Sequence, residues 1–366
     1  MTKNLLTTSS QPMRNRLAAS RLATAVRAST NAIDLAADVG LIPGSRRLAL
    51  RGVGAAVCGS LLGASAVDAF AADTSGVAPT AASASRAPLK VVATFSILAD
   101  MVREVGGSAV SVSTLVGANA DAHVFEPTPS DVRRVAAADL VVANGLRYEG
   151  WIERLIAASG YRGKVLIASR GITPRRVPGG ADPHAWQSLA HAQQYVENIR
   201  AALSDAAPGE SALIGVRAAA YSARLAGLDA AARSRFGAIP ADRRRVITSH
   251  DAFGYFGDAY GIAFIAPRGW TTGSEPSAET VAAIIRQARA ERASALLVEN
   301  ISDPRLVERI GREAGLNVGG TLYSDALSPP GTVADTYLRM VAHNIDTLVA
   351  AMAPVARPPT TGTNRP

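Results

Sequence analysis

From residue 89 to 168, short apolar runs alternate with stretches whose apolar positions recur every three or four residues. Runs 90–95, 110–116, 140–144 and 164–168 have the length and β-branched content of buried strands. Stretches 97–105, 129–138 and 151–158 have helical spacing, with Thr128 or Ser130 placed to cap the second. The middle of the chain differs. Residues 187–203 predict a helix, and 208–236 hold no proline after Pro208 and only Gly209, Gly215 and Gly227 among glycines. One helix there would run roughly 40 Å at 1.5 Å per residue; two shorter helices broken at Gly227 are the alternative. Beyond Pro240 the alternation restarts, with strands at 246–249, 263–266, 295–298 and 318–323 and helices at 252–260, 278–290, 304–314 and 333–352. Repeated strand–helix alternation predicts an α/β fold. It has two lobes, 89–207 and 241–353, each a mainly parallel sheet flanked by helices, joined by a long linking helix within 208–240. Two such lobes leave a cleft, and ligands in these sheets sit beyond the carboxyl ends of the strands.

Charge changes the picture mainly at the N-terminus. The chain of 366 residues has a formal net charge of +8, yet residues 1–71 carry 8 basic and 3 acidic side chains, leaving a net of +3 for the remainder. No basic stripe interleaved with aromatics runs through it, which argues against nucleic acid as a partner. Within 1–71, Arg46 and Arg47 precede a weakly apolar run at 52–67 and then Ala69-Phe70-Ala71, the order of an export signal cleaved before Ala72. The paired arginines fit a twin-arginine route and the general secretion route is the alternative, so the expected location is periplasmic. Residues 72–88 read as a flexible tether and 354–366 as a disordered tail. The single cysteine, Cys58, follows Val57 rather than a small residue, so no lipid anchor is expected. Cleavage would leave no thiolate, and any metal site must then use histidine and carboxylate.

Three of the five histidines share a setting. His123 follows the 110–116 strand, His184 stands in Asp182-Pro183-His184 at the start of a helix, and His250 ends the 246–249 strand. Asp325 ends the 318–323 strand. Two come from each lobe, and imidazoles with a carboxylate can complete a tetrahedron around Zn²⁺. Taken singly, a loop histidine is a surface residue or a cap, and Asp182 and Asp325 serve equally as turn residues. His191 and His343 read as solvated. Glu299, ending the 295–298 strand, could face the cleft as a partner for a ligand imidazole; Glu126, three after His123, is a weaker candidate for that role and reads better as a structural contact.

The blocks Asp121-Ala122-His123-Val124-Phe125-Glu126-Pro127, Asp182-Pro183-His184-Ala185-Trp186, Thr248-Ser249-His250-Asp251-Ala252-Phe253-Gly254-Tyr255-Phe256 and Leu322-Tyr323-Ser324-Asp325 resemble, in order and spacing, the ligand blocks of the zinc/manganese substrate-binding proteins of ABC transporters. The resemblance covers about 89–351. It implies one metal between two lobes joined by a long helix, no catalysis, and delivery to a membrane permease with its cytoplasmic ATPase. A monomer, and a periplasmic metallochaperone as a further partner, are the accompanying expectations. Manganese-selective relatives tend to carry Glu where this chain has His250. Three imidazoles and one carboxylate therefore favour Zn²⁺, with Mn²⁺ as the alternative. The His-rich loop of many zinc members is missing, since 172–181 is short and basic.

Two other classes compete. A secreted zinc hydrolase needs an open coordination position and a general base, and no His-Glu-x-x-His helix exists. An organic-solute binder would scatter its histidines. A rigid linking helix would permit modest tilting only, so metal release is expected to rely on local change at the His184 or Asp325 loop.

Overall fold

The computed structural model describes residues 87–266, 277–291 and 293–353. The export leader, nearly all of the tether and the tail expected from Pro354 lie outside the described residues.

The N-terminal lobe begins with β1 (Leu89–Phe95), α1 (Ser96–Gly106), β2 (Val110–Val116) and α2 (Pro129–Ala136). It continues through β3 (Leu140–Ala143), α3 (Ile152–Ser159) and β4 (Lys164–Ile167). All pairings are parallel, in the order β2-β1-β3-β4. The two central strands are buried almost throughout, as strands covered by helices on both faces must be. Thr128 caps α2 with a reciprocal box to Asp131, and Pro129 supplies the preset first turn. A small antiparallel hairpin, β5 (Arg176–Val177) with β6 (Gly180–Ala181), leads to a single 3₁₀ turn and then α4 (Leu189–Ala206).

The linking helix is α5 (Ser211–Gly237), 27 residues long and unbroken at Gly227. A single 3₁₀ turn, Pro208–Glu210, precedes it, so the helix proper is shorter than the 208–240 expected for the linker. Its buried residues Ile214, Ala218, Tyr221, Leu225, Ala232 and Phe236 form one stripe at helical spacing. It packs on α1 and α4. The C-terminal lobe comprises β7 (Arg245–Ile247), α6 (Gly254–Tyr260), β8 (Ala263–Ile265), α7 (Ala278–Ala290), β9 (Ala295–Glu299), α8 (Pro304–Ala314), β10 (Val318–Leu322) and α9 (Tyr337–Met352). Its sheet is again parallel, in the order β10-β9-β7-β8. Helix α5 also meets α6 and α9, so it touches both lobes. The strand order reverses between β1 and β3 in one sheet and between β7 and β9 in the other, and such switch points open crevices at the strand carboxyl ends.

Most element ends shift by one to three residues, and three shifts matter most here. The strands before His250 and Asp325 stop at Ile247 and Leu322, so both residues stand in loops three positions past a strand rather than at its end. Helix α9 starts at Tyr337 and not at Val333, because Thr336 caps it through Arg339 N.

Candidate metal centre

The structure brings His123, His184, His250 and Asp325 together, each offering one ligand atom, all within 4.8 Å of one another. His123 Nε2 lies 3.1 Å from His184 Nε2 and 3.3 Å from Asp325 Oδ2. His250 Nε2 lies 3.2 Å from Asp325 Oδ2, and His184 Nε2 is 3.8 Å from Asp325 Oδ1. Tetrahedral ligands at zinc bond lengths stand about 3.3 Å apart. The Asp325 side chain is 0 % exposed, and among the described residues its oxygens have no hydrogen-bond partner outside the cluster. An unpaired buried carboxylate is costly, so this one calls for a cation. His123 is the most open of the four, its side chain 27 % exposed.

Carboxylates hold two of the imidazoles from behind. Glu299, at the end of β9, accepts from His250 N at 2.8 Å and from Ser249 Oγ at 3.0 Å, and its Oε2 lies 2.6 Å from His250 Nδ1. Asp182 Oδ1 lies 2.8 Å from His184 Nδ1 and accepts from His184 N at 3.0 Å. A proton on each Nδ1, shared with its carboxylate, leaves Nε2 as the lone-pair donor facing the cluster. Glu299 thus stands where a cleft-facing residue was expected. Asp182 was read as a turn residue only. It is that too, but its ring contact could have been suspected from the Asp-x-His spacing. Glu126, the weaker candidate of the two, is exposed, and among the described residues no hydrogen bond or ion pair ties it to the cluster.

Both remaining histidines are half-buried. His191 packs edge-on against Tyr255 with its Nδ1 buried, and burial lowers its pKa. His343 Nε2 lies 2.9 Å from Thr321 O, and its ring meets Tyr323. Both belong to the packing around the cluster and not to it.

The turn after β3 aims further side chains at the site. Gly145, Leu146 and Arg147 all have positive φ, and a Cβ on Gly145 would collide with Ile167. Two consecutive non-glycine residues in that region are strained. Buried Glu149 holds the turn by accepting from Thr94 Oγ1, Asn144 N and Gly145 N. Tyr148 then lies edge-on to His123, ring centroids 4.6 Å apart.

Charge is strongly coupled here. Burial works against a proton on His250, but the Glu299 and Asp325 carboxylates outweigh it and raise its pKa well above the ordinary histidine value. Burial opposes ionisation of Asp325, yet His250 and His184 hold its carboxyl well below the usual range. Glu299 is likewise lowered, chiefly by His250 acting against burial. A proton on His250 thus occupies, electrostatically, the place a bound cation would take. Glu299→Gln keeps an acceptor for His250 N but loses the charge behind the ring. It is expected to weaken metal binding about 10- to 100-fold, in titrations against a competing chelator, with the circular dichroism spectrum unchanged.

Comparison with known proteins places this cluster in a family. Residues 91–351 match the model of ZnuA, the zinc-uptake complex component A, periplasmic. The chain is 29 % identical over 266 residues to the manganese-binding lipoprotein MntA of Halalkalibacterium halodurans, covering 72 % of this chain and 89 % of that one. It is 30 % identical over 276 residues to the iron ABC transporter substrate-binding lipoprotein MtsA of Streptococcus pyogenes, covering 72 % and 89 %. Among solved structures, the periplasmic zinc binding protein TroA from Treponema pallidum superposes with a TM-score of 0.69 at 31 % identity, covering 73 % of this chain and all of that one. Two parallel-sheet lobes around a buried cluster of three histidines and an aspartate, matched over nearly the whole described region, make this chain a member of the ZnuA family of metal-binding, substrate-binding proteins of ABC transporters, which are not enzymes.

Proposed function

We propose that the protein captures Zn²⁺ outside the cytoplasmic membrane through His123, His184, His250 and Asp325 and hands it to an ABC permease driven by a cytoplasmic ATPase. The observation that carries this reading is the donor set, three imidazole nitrogens and one carboxylate gathered within 4.8 Å. Imidazole-rich tetrahedral sites suit Zn²⁺, whereas Mn²⁺ prefers more oxygen ligands and a higher coordination number. Zn²⁺ is cargo here, and four protein ligands leave no open position for an attacking water.

A second reading, Mn²⁺ or iron as cargo, is favoured by the relatives named for those metals. Calorimetric titration with Zn²⁺, Mn²⁺ and Fe²⁺ in turn separates the two. One tight Zn²⁺ site, with Mn²⁺ bound more weakly, is the expected result; tighter Mn²⁺ or Fe²⁺ would transfer the role to that metal. Replacing a nitrogen donor by oxygen sharpens the test. His250→Glu should move the Zn²⁺/Mn²⁺ affinity ratio toward Mn²⁺ by roughly tenfold, and an unmoved ratio would undo the selectivity argument. The expected absence of a lipid at Cys58 gains no support from relatives that are themselves named lipoproteins, and Cys58 lies outside the described residues.

A further inference from the structure

Asp325 belongs by sequence to the C-terminal lobe, yet the segment that carries it is fastened to the N-terminal one. Trp186 Nε1 and Gln187 Nε2 both donate to Ser324 O, at 2.9 and 2.7 Å. Leu327 N donates to Ser96 Oγ at 2.9 Å, and Asn119 N donates to Leu327 O at 2.9 Å. Ten residues further on, Tyr337 N donates to the buried carboxylate of Asp100 at 2.8 Å, and Tyr337 OH donates to Trp186 O. The acceptors and donors on the far side come from α1, from the loop after β2 and from the turn before α4. From its own lobe the segment 324–327 is met by Asn300, which donates to Ala326 O and, across the lobes, to Asn119 Oδ1 at 3.0 Å and accepts from Ser324 N, while Asn344 holds both backbone groups of Tyr323 just before it.

His250 is held the other way. Its backbone and ring rest on Glu299 of β9, and α6 follows it directly. One latch ties α6 to the segment before His184. Tyr255 OH donates to Asp182 O at 2.9 Å and accepts from Arg175 N at 2.8 Å, while Arg175 Nε donates to Asp258 at 3.0 Å.

The geometry points to a site that parts as three and one. His123, His184 and Asp325 form a platform kept on the N-terminal lobe, with Ser96 and Asp100 as positioning residues for Asp325, and His250 joins or leaves that platform with the C-terminal sheet as the Tyr255 latch closes or opens. This rests on the metal-binding reading above and deepens it. It also removes the Asp325 loop from the places where release was expected, since opening that loop alone would break buried hydrogen bonds to the N-terminal lobe.

Spin-label distances test the partition in the full chain with Cys58→Ser. One pair joins Glu153→Cys on α3 to Val333→Cys in the fastened segment, and the other joins Glu153→Cys to Glu279→Cys on α7; all three positions are exposed. Removing Zn²⁺ should leave the first distance unchanged and shift the second. Equal shifts, or no shift in either, overturn the partition. Calorimetry on the same proteins keeps the two ideas apart, because a protein that binds no Zn²⁺ at all refutes the binding reading instead. Ser96→Ala should weaken Zn²⁺ about three- to tenfold, the worth of one hydrogen bond. With Co²⁺ bound at saturation, its visible spectrum should match the parent, since the ligands themselves are intact. Tyr255→Phe should accelerate release of Zn²⁺ to a chelator with the same unchanged Co²⁺ spectrum. Release no faster than in the parent would overturn the latch.

Discussion

Asp325→Ala should cost the protein about 100- to 1000-fold or more in Zn²⁺ affinity. The argument is electrostatic. Asp325 is the one anionic donor among the four, fully buried, with its oxygens 3.2 to 3.8 Å from all three imidazole Nε2 atoms. Without it a dication would enter a buried site lined by neutral rings, and leaving a buried charge without its partner costs about 3–5 kcal/mol. Neutral imidazoles remain good ligands, so residual weak binding should persist. Competition against a chelator of known affinity measures the loss. A variant within tenfold of the parent would mean that the carboxylate does not bind the metal. The metal-free variant should also lose the proton on His250 at lower pH than the parent, because Asp325 is one of the two carboxylates that keep it there.

Saturating Zn²⁺ should raise the melting temperature by about 10 °C. Ligand at a thousandfold excess over its dissociation constant adds about 4 kcal/mol to the folded state, and in a chain of this size each kcal/mol is worth roughly 2–4 °C. Excess chelator should reverse the rise. The gap should widen with pH, and the sign follows from His250. Its pKa in the metal-free fold lies above the ordinary 6.5, so the stability that its proton brings is fully present below 6.5 and is lost as pH rises through the folded value. The metal-bound form, with His250 neutral, has no such proton to lose. Heating scans with and without Zn²⁺ at pH 6.5 and 8 should therefore show the larger difference at 8. A constant gap would mean that metal and proton do not compete for that ring.

Much of this was legible in the chain. The strand at 110–116 and the helices at 278–290 and 304–314 match the structure at both ends, because β-branched runs and capped amphipathic stretches state their own limits. The continuity of α5 through Gly227 was open between two readings; a buried stripe that continues past the glycine settles it. The gathering of the four ligands followed from their placement in loops beyond strands and from the family resemblance. Other features had no local signal. Strands β5 and β6 are two residues each, too short to show a period. Helix α9 looked longer because Val333 and Ala334 are apolar, but Ala334 N is bonded to Ser328 Oγ and Thr336 takes the cap. The fastening of the Asp325 segment relies on backbone groups meeting partners far away in sequence, and periodicity carries no information about those.

The four ligands are separated by more than sixty residues at every step along the chain, and the long helix lies between the second and the third. No short stretch of this polypeptide can chelate an ion by itself. A bound ion is therefore a sign that both sheets, the helix between them and the returning C-terminal segment have all been completed. Conversely, any event that undoes one lobe, whether heat or proteolysis, takes at least one of the four ligands out of the set. The complete set of four exists only while the protein is whole.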